Sequence, residues 1–201
     1  MIDARLLPVQ RRILAPVARR LQSAGVTADA LTLVGFALGL LAVAAVAAGA
    51  FWAGLGLLLA NRLADGLDGE VARIAGATDR GAFLDIALDF LFYALFPLGF
   101  ALADPVENAL PAAVLIASFV GTGSSFLAFS VLAERRGLKA ADYPAKGIHY
   151  LGGLTEGAET IAVFVAMCLW PGAFPVLALV FAGACAVTTL LRWRRGWQVF
   201  G

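Results

Sequence analysis

Asp65, Asp68, Asp85 and Asp89 are the side chains of this 201-residue chain whose type and spacing could do chemistry. They stand in Asp65-Gly66-Leu67-Asp68-Gly69-Glu70-Val71-Ala72-Arg73 and in Gly81-Ala82-Phe83-Leu84-Asp85-Ile86-Ala87-Leu88-Asp89. On a helix, Asp65, Asp68, Gly69, Ala72 and Arg73 recur at steps that share one face, and so do Gly81, Asp85 and Asp89. The spacing predicts two adjacent antiparallel helices, each presenting a pair of acids. Carboxylates so gathered repel one another unless cations intervene. Hard oxygen ligands in this number suit Mg²⁺, Mn²⁺ or Ca²⁺, and no Cys or His stands nearby to suggest zinc. Carboxylate-bound metals in turn favour a substrate that carries phosphate. Gly69, Ala72 and Gly81 leave room for a bulky group against the backbone, and Arg73 is placed to meet a phosphate. The blander reading gives the small residues to helix packing and Arg73 to interfacial anchoring. Glu70, a third of a turn off the shared face, is expected to meet solvent or headgroups.

The surrounding sequence must carry these acids inside a membrane. Hydrophobic residues make up 61% of the chain and charged residues 14%, with a mean hydropathy of +0.87. A soluble domain carries about 45–50% apolar and about 25% charged residues. Each acid near the bilayer centre costs ~2.5–3.5 kcal/mol, so acids in spans are functional candidates. The sequence predicts an all-α polytopic membrane protein with six spans: Ala30–Ala50, Trp52–Arg73, Gly81–Ala103, Asn108–Ala133, Ile148–Trp170 and Ala173–Leu191. With the N-terminus in the cytoplasm, every Lys and Arg outside the spans falls on the cytoplasmic side, and the outer loops hold only Asp104 and Glu107. Both termini are then cytoplasmic, and so is the acidic cluster. Ahead of the first span, Leu6, Leu7, Val9, Val17 and Leu21 recur among arginines, which predicts an amphipathic helix over residues 1–24 on the inner leaflet. No cleaved signal is expected there. Cys168 and Cys185 lie in apolar stretches and imply neither disulfide nor metal. One domain over 1–201, with its bundle over 30–193, is the economical expectation.

The run D-x-x-D-G-x-x-A-R followed by G-x-x-x-D-x-x-x-D resembles the signature of the CDP-alcohol phosphotransferases. Asp65, Asp68, Gly69, Ala72, Arg73, Gly81, Asp85 and Asp89 fill every fixed position. Many members carry Thr-Pro-Asn before the first span, where this chain has Thr27-Ala28-Asp29, and Asp29 is expected to cap a helix. The resemblance implies two divalent cations, Mg²⁺ or Mn²⁺ (Ca²⁺ also fitting the site), on Asp65, Asp68, Asp85 and Asp89. It implies a nucleotide pocket at Asp65, Gly69, Ala72, Arg73 and Gly81, with Asp89 as general base. The implied reaction passes a substituted phosphate from a CDP-linked donor to an alcohol, with release of CMP, in phospholipid synthesis. CDP-diacylglycerol with a small polar acceptor is the first expectation, and a CDP-linked headgroup moving to a lipid alcohol is the second. A homodimer is implied by resemblance alone, and no nucleic acid is expected.

Glu156 and Glu159, three apart in the fifth span, are candidates for hydrogen-bonding the acceptor or pairing with Arg62 or Arg73. Lys146 and His149 at the entrance to that span are further acceptor candidates, against a plainer reading as interfacial residues. Arg135, Arg136, Lys139 and Lys146 either favour a phosphorylated acceptor or simply follow the positive-inside rule. An inner (plasma) membrane of a bacterium is the expected location. Two other classes compete: a small transporter whose ion path uses the aspartates, and a catalytically silent scaffold. A transport site is expected near the midplane, whereas this cluster lies at one membrane face.

Overall fold

The computed structural model describes residues 3–138 and 153–201, with side chains from residue 11 onward. Those residues form helices and no strands. They are α1 (Asp3–Ser23), α2 (Ala28–Ala47), α3 (Phe51–Ala75), α4 (Asp79–Ala103), α5 (Pro105–Arg135), α6 (Gly157–Leu169) and α7 (Phe174–Phe200). Local chemistry sets the breaks. Thr27 caps α2 by accepting from the Ala30 amide at 3.2 Å, and Thr78 caps α4 by accepting from the Gly81 amide at 3.1 Å. The expected cap, Asp29, lies instead in the first turn of α2. Gly49 and Gly76, with φ of +77° and +97°, turn the chain after α2 and α3 where a side chain would be strained. Asp104 ends α4 and also caps α5, with Pro105 in the first turn, where its missing N–H costs nothing.

Four segments are long and apolar enough to cross a membrane: Ala28–Ala47, Asp79–Ala103, Pro105–Arg135 and Pro171–Phe200. Their outward residues, among them Leu33, Leu41, Val120 and Val180, remain exposed as lipid-facing side chains would. α3 has the length but carries Arg62, Asp65, Asp68, Glu70 and Arg73. α6 has 13 residues, about 20 Å of helix against a hydrocarbon core of about 30 Å. The first five residues of the expected fifth span lie outside the described residues. α7 runs past the expected Leu191, and Arg136 donates to the Val199 and Phe200 carbonyls at its end. α1 packs on α3, burying Leu14 and Ala18, while Ile13 and Val17 on its other side stay exposed.

α2 is the central support. It packs on both α3 and α4, which make few contacts with each other. Its small residues make that possible. A methyl at Gly35 would lie 3.1 Å from Ala64 of α3, and one at Gly39 would lie 2.8 Å from the Phe92 ring of α4 and 3.2 Å from Asn61. One face of α4 then changes character along its length. Asp85 and Asp89 are followed at the same face by Phe92, Phe96 and Phe100, all buried. Phe96 stacks on Phe164 of α6 at 4.6 Å between centroids, and Phe100 stacks on Phe174 of α7 at 4.6 Å. Beyond this core, α5 pairs with α7, where Arg192 donates to the Thr122 carbonyl at 2.9 Å.

The Gly39 contact is testable. Gly39→Ala is expected to lower stability by about 1–3 kcal/mol, because neither Phe92 nor Asn61 has room to retreat. Reversible unfolding in mixed detergent would measure it. Gly56→Ala, which meets nothing within 4 Å, serves as the control.

Candidate active site between α3 and α4

Separation of α3 from α4 leaves a cleft whose floor is α2. Asp65 and Asp68 enter it from α3, and Asp85 and Asp89 from α4. The expected antiparallel pairing of the two acid-bearing helices is thus mediated by α2 rather than by direct packing. One carboxylate oxygen each from Asp65, Asp85 and Asp89 lies within 4.8 Å of the other two. A single cation that binds oxygens at about 2.0–2.4 Å has ligands separated by up to that span. The fit to a hard divalent ion is therefore good, with no sulfur or imidazole among the cleft residues. Asp68 is turned toward α2, where its Oδ2 accepts from the Thr32 hydroxyl at 2.6 Å.

Arg62 joins the cluster from one turn earlier on α3. Its Nη2 donates to Asp89 Oδ1 at 3.1 Å, and its Nη1 lies 3.7 Å from Asp65 Oδ1. Its Nε donates to Asn61 Oδ1 at 2.7 Å, and Asn61 in turn donates from Nδ2 to the Gly35 carbonyl at 2.8 Å. The guanidinium carbon lies 5.1 Å from the Phe92 ring centre and 5.8 Å from that of Tyr93. The arginine is therefore held at both ends, by an amide behind and by two aromatic faces beside it.

About two turns beyond Asp65 on α3, Arg73 pairs with Glu70. Glu70 is buried, contrary to the expectation that it meets solvent or headgroups; α1 packs on this helix, and its Arg73 partner offsets the cost of burial. Gly69 carries no side chain beneath the Arg73 guanidinium, and Ala72 is half-buried beside it. Gly81, on the first turn of α4, faces Asp29, whose Oδ1 would lie 3.1 Å from a methyl there. Asp29 is held by Arg80, with Nη2 to Oδ2 at 2.5 Å. Arg80 thus ties α4 to the start of α2.

The acceptor candidates sit elsewhere. Glu156 and Glu159 form a reciprocal capping box at the start of α6. Glu156 Oε1 also accepts from the Gly153 amide at 3.1 Å, and Glu159 Oε2 accepts from the Glu156 amide at 3.2 Å. Neither glutamate lines the carboxylate cleft; Arg62 meets Asp65, Asp89 and Asn61, and Arg73 meets Glu70. Lys139, Lys146 and His149 lie outside the described residues.

The sequence of residues 25–191 matches the family described as CDP-alcohol phosphatidyltransferase. The chain belongs to that family. Inner membrane protein YnjF of Escherichia coli (strain K12) is 50% identical over 192 residues, covering 96% of this chain and 93% of that protein. Archaetidylinositol phosphate synthase of Methanothermobacter thermautotrophicus is 32% identical over 164 residues, covering 79% of this chain and 73% of that protein. Among solved structures, phosphatidylinositol phosphate synthase (PgsA1) of Mycobacterium tuberculosis with CDP-DAG bound superposes with a TM-score of 0.74 at 24% identity. It covers 92% of this chain and 94% of that one. The same protein in complex with manganese and citrate gives 0.73 at 23% identity, covering 92% and 88%. These structures share the fold. In this chain the matched region spans α2 to α6 and most of α7.

Three polar residues of the cleft, Arg62, Asn61 and Thr32, were not among the site residues expected from the sequence. The signal was present, since an adjacent Asn-Arg pair in a membrane helix, one turn before the first acid, has no inexpensive lipid-facing place. A substitution pair separates the capping role of Glu159 from an acceptor-binding one. Glu159→Gln keeps a capping box and is expected to leave stability near wild type, whereas Glu159→Ala costs about 0.5–2 kcal/mol. Transfer rates parallel to stability would assign the residue to the helix end; equal loss of transfer in both variants, at unchanged stability, would assign its charge to the acceptor.

Proposed function

We propose that this protein transfers a phosphatidyl-type group from CDP-diacylglycerol to the hydroxyl of a small polar alcohol, releasing CMP, with two divalent cations, Mg²⁺ or Mn²⁺, held by Asp65, Asp68, Asp85 and Asp89. The observation that carries this reading is the convergence of three carboxylate oxygens within 4.8 Å in a helical cleft at the family motif. Bound there, the cations would supply charge neutralisation for the pyrophosphate and the departing nucleotide. Asp89, on the α4 side of the cleft, takes the proton from the acceptor hydroxyl. The new bond joins that oxygen to the phosphorus bearing the lipid, the bridging oxygen–phosphorus bond breaks, and the electron pair leaves with CMP. Gly69, Ala72 and Gly81 give the nucleotide access to the backbone, and Arg73 offers its guanidinium to a phosphate oxygen.

Two relatives support a phosphorylated inositol as the first acceptor to try, since archaetidylinositol phosphate synthase and phosphatidylinositol phosphate synthase carry it in their names. The likeness to an inner membrane protein supports placement in an inner membrane. Six spans with both termini and the cleft at the cytoplasmic face agree with the distribution of Lys and Arg; α3 forms one span with the acids at its inner end, and α6 lies within the fifth.

The test is CMP release by detergent-purified protein given CDP-diacylglycerol, Mg²⁺ or Mn²⁺, and a panel of inositol phosphate, glycerol phosphate and serine. Release is expected with one acceptor and none with EDTA. Asp89→Asn is expected to lower turnover by about 10²–10⁴-fold, and Asp85→Asn to abolish it. Near-normal turnover in Asp89→Asn would remove the general base from that residue. Reaction only with a CDP-linked headgroup and diacylglycerol would reverse the donor assignment.

A further inference from the structure

Among the described residues that line the carboxylate cleft, Arg62 is the one positive side chain, and nothing in the proposed reaction yet uses it. Its place is unusual in two ways. Its guanidinium reaches Asp89 at 3.1 Å and Asp65 at 3.7 Å, two of the three acids whose oxygens converge. It is also braced from behind, through Nε to Asn61 and through Asn61 to the Gly35 carbonyl, and from the side by the rings of Phe92 and Tyr93. A flexible surface arginine would swing away when a divalent ion approached. This one is kept by its braces within reach of Asp89, and its side chain is only 15% exposed.

Charge balance gives the consequence. With Asp65, Asp68, Asp85 and Asp89 ionised, Arg62 cancels one of their charges. A first divalent ion then leaves the cluster with a single excess negative charge. A second ion would make it positive, in a cleft between apolar helices where uncompensated charge is costly. The anionic pyrophosphate of a CDP donor removes that obstacle and also gives the guanidinium phosphate oxygens as alternative partners.

We propose that Arg62 is a built-in counter-cation that stands in for the second divalent ion at Asp89 and Asp65 and gives way only when the nucleotide donor is bound, so that full metal loading is coupled to donor binding. This rests on the metal-dependent transfer proposed above. Coupling of this kind is reciprocal: the nucleotide tightens the second ion by the same factor by which that ion tightens the nucleotide. Arg62 is accordingly a positioning residue, acting through the acids.

Mn²⁺ binding to the purified full-length protein, followed by electron paramagnetic resonance with and without CDP, tests it. Wild type is expected to bind about one Mn²⁺ per chain alone and about two with CDP, the second giving a spin-coupled signal. Arg62→Gln is expected to bind about two Mn²⁺ without CDP, the second ion at least about tenfold tighter than in wild type, and to lose the dependence on CDP. Its melting temperature should fall in EDTA and recover in Mn²⁺, a pattern that a merely structural arginine would not give. If Arg62→Gln is too unstable to purify, Arg62→Lys reads the same quantity. Its ammonium loses the Asn61 brace and the forked donor, so the second Mn²⁺ should bind several-fold tighter than in wild type without CDP. A second-ion affinity equal to or weaker than wild type in the variant measured overturns the inference. Wild type that binds Mn²⁺ and releases CMP alongside such a result leaves the transferase reading standing, whereas wild type that binds no Mn²⁺ removes both.

Discussion

Asp65, Asp85 and Asp89 bring their oxygens together in a chain too apolar to surround them with water, and most of the nearby structure answers to the repulsion that results. Thr32 supplies a hydrogen bond to Asp68, Arg62 supplies a positive charge to Asp65 and Asp89, and the glycines of α2 let their helix approach closely enough to deliver the first of these. Removing one partner from such a group costs more than the bond is worth, because the other is left buried and charged. The cleft is thus specified by its electrostatics as much as by its shape. Phe92 serves both demands. It flanks the guanidinium on one side and opens the phenylalanine ladder of the core on the other, so site and core share a side chain.

The acids were legible in the sequence because helical spacing and their cost in a membrane leave few alternatives. The family motif gave the same residues. The role of α2 was harder to read. Gly35 and Gly39 matter through what faces them, Ala64 and Phe92, and a lone sequence does not say which helices face each other. For the same reason the sequence paired α3 with α4 directly, since a short turn joins them, while the structure places α2 against both. Glu70 went astray for a related cause. A helical wheel assigns it to another face, but the wheel carries no knowledge of α1 packing on α3 or of Arg73 meeting Glu70.

Glu156 and Glu159 show how a sound rule gives two readings. Acids three apart in an apolar stretch mark either a binding site or a helix beginning, and Ser or Thr is the usual first member of a capping box. Here a glutamate takes that position, and the helix starts well inside the expected span. Thr155 and Thr188 reinforce the junction, with hydroxyls 3.0 Å apart, and the absent side chain of Gly153 lets the backbone come up against Thr188. Polar groups at this depth are therefore spent first on backbone that the interrupted helix leaves unpaired.

The linkers between helices are short from α2 through α5, and the cleft draws only on the first three of those helices. Arg62 and Asp89 are 27 positions apart, and Thr32 and Asp68 are 36 apart. Contacts so local close early, since the entropy of bringing two points of a chain together grows with the length between them. As the chain leaves the ribosome, the four carboxylates of the cleft, with the arginine that tempers them, are available to assemble before α5, α6 and α7 have been made. The order of synthesis thus lets the acids find their partners before they must settle among lipids, and the later helices close around a charge cluster already neutralised in part.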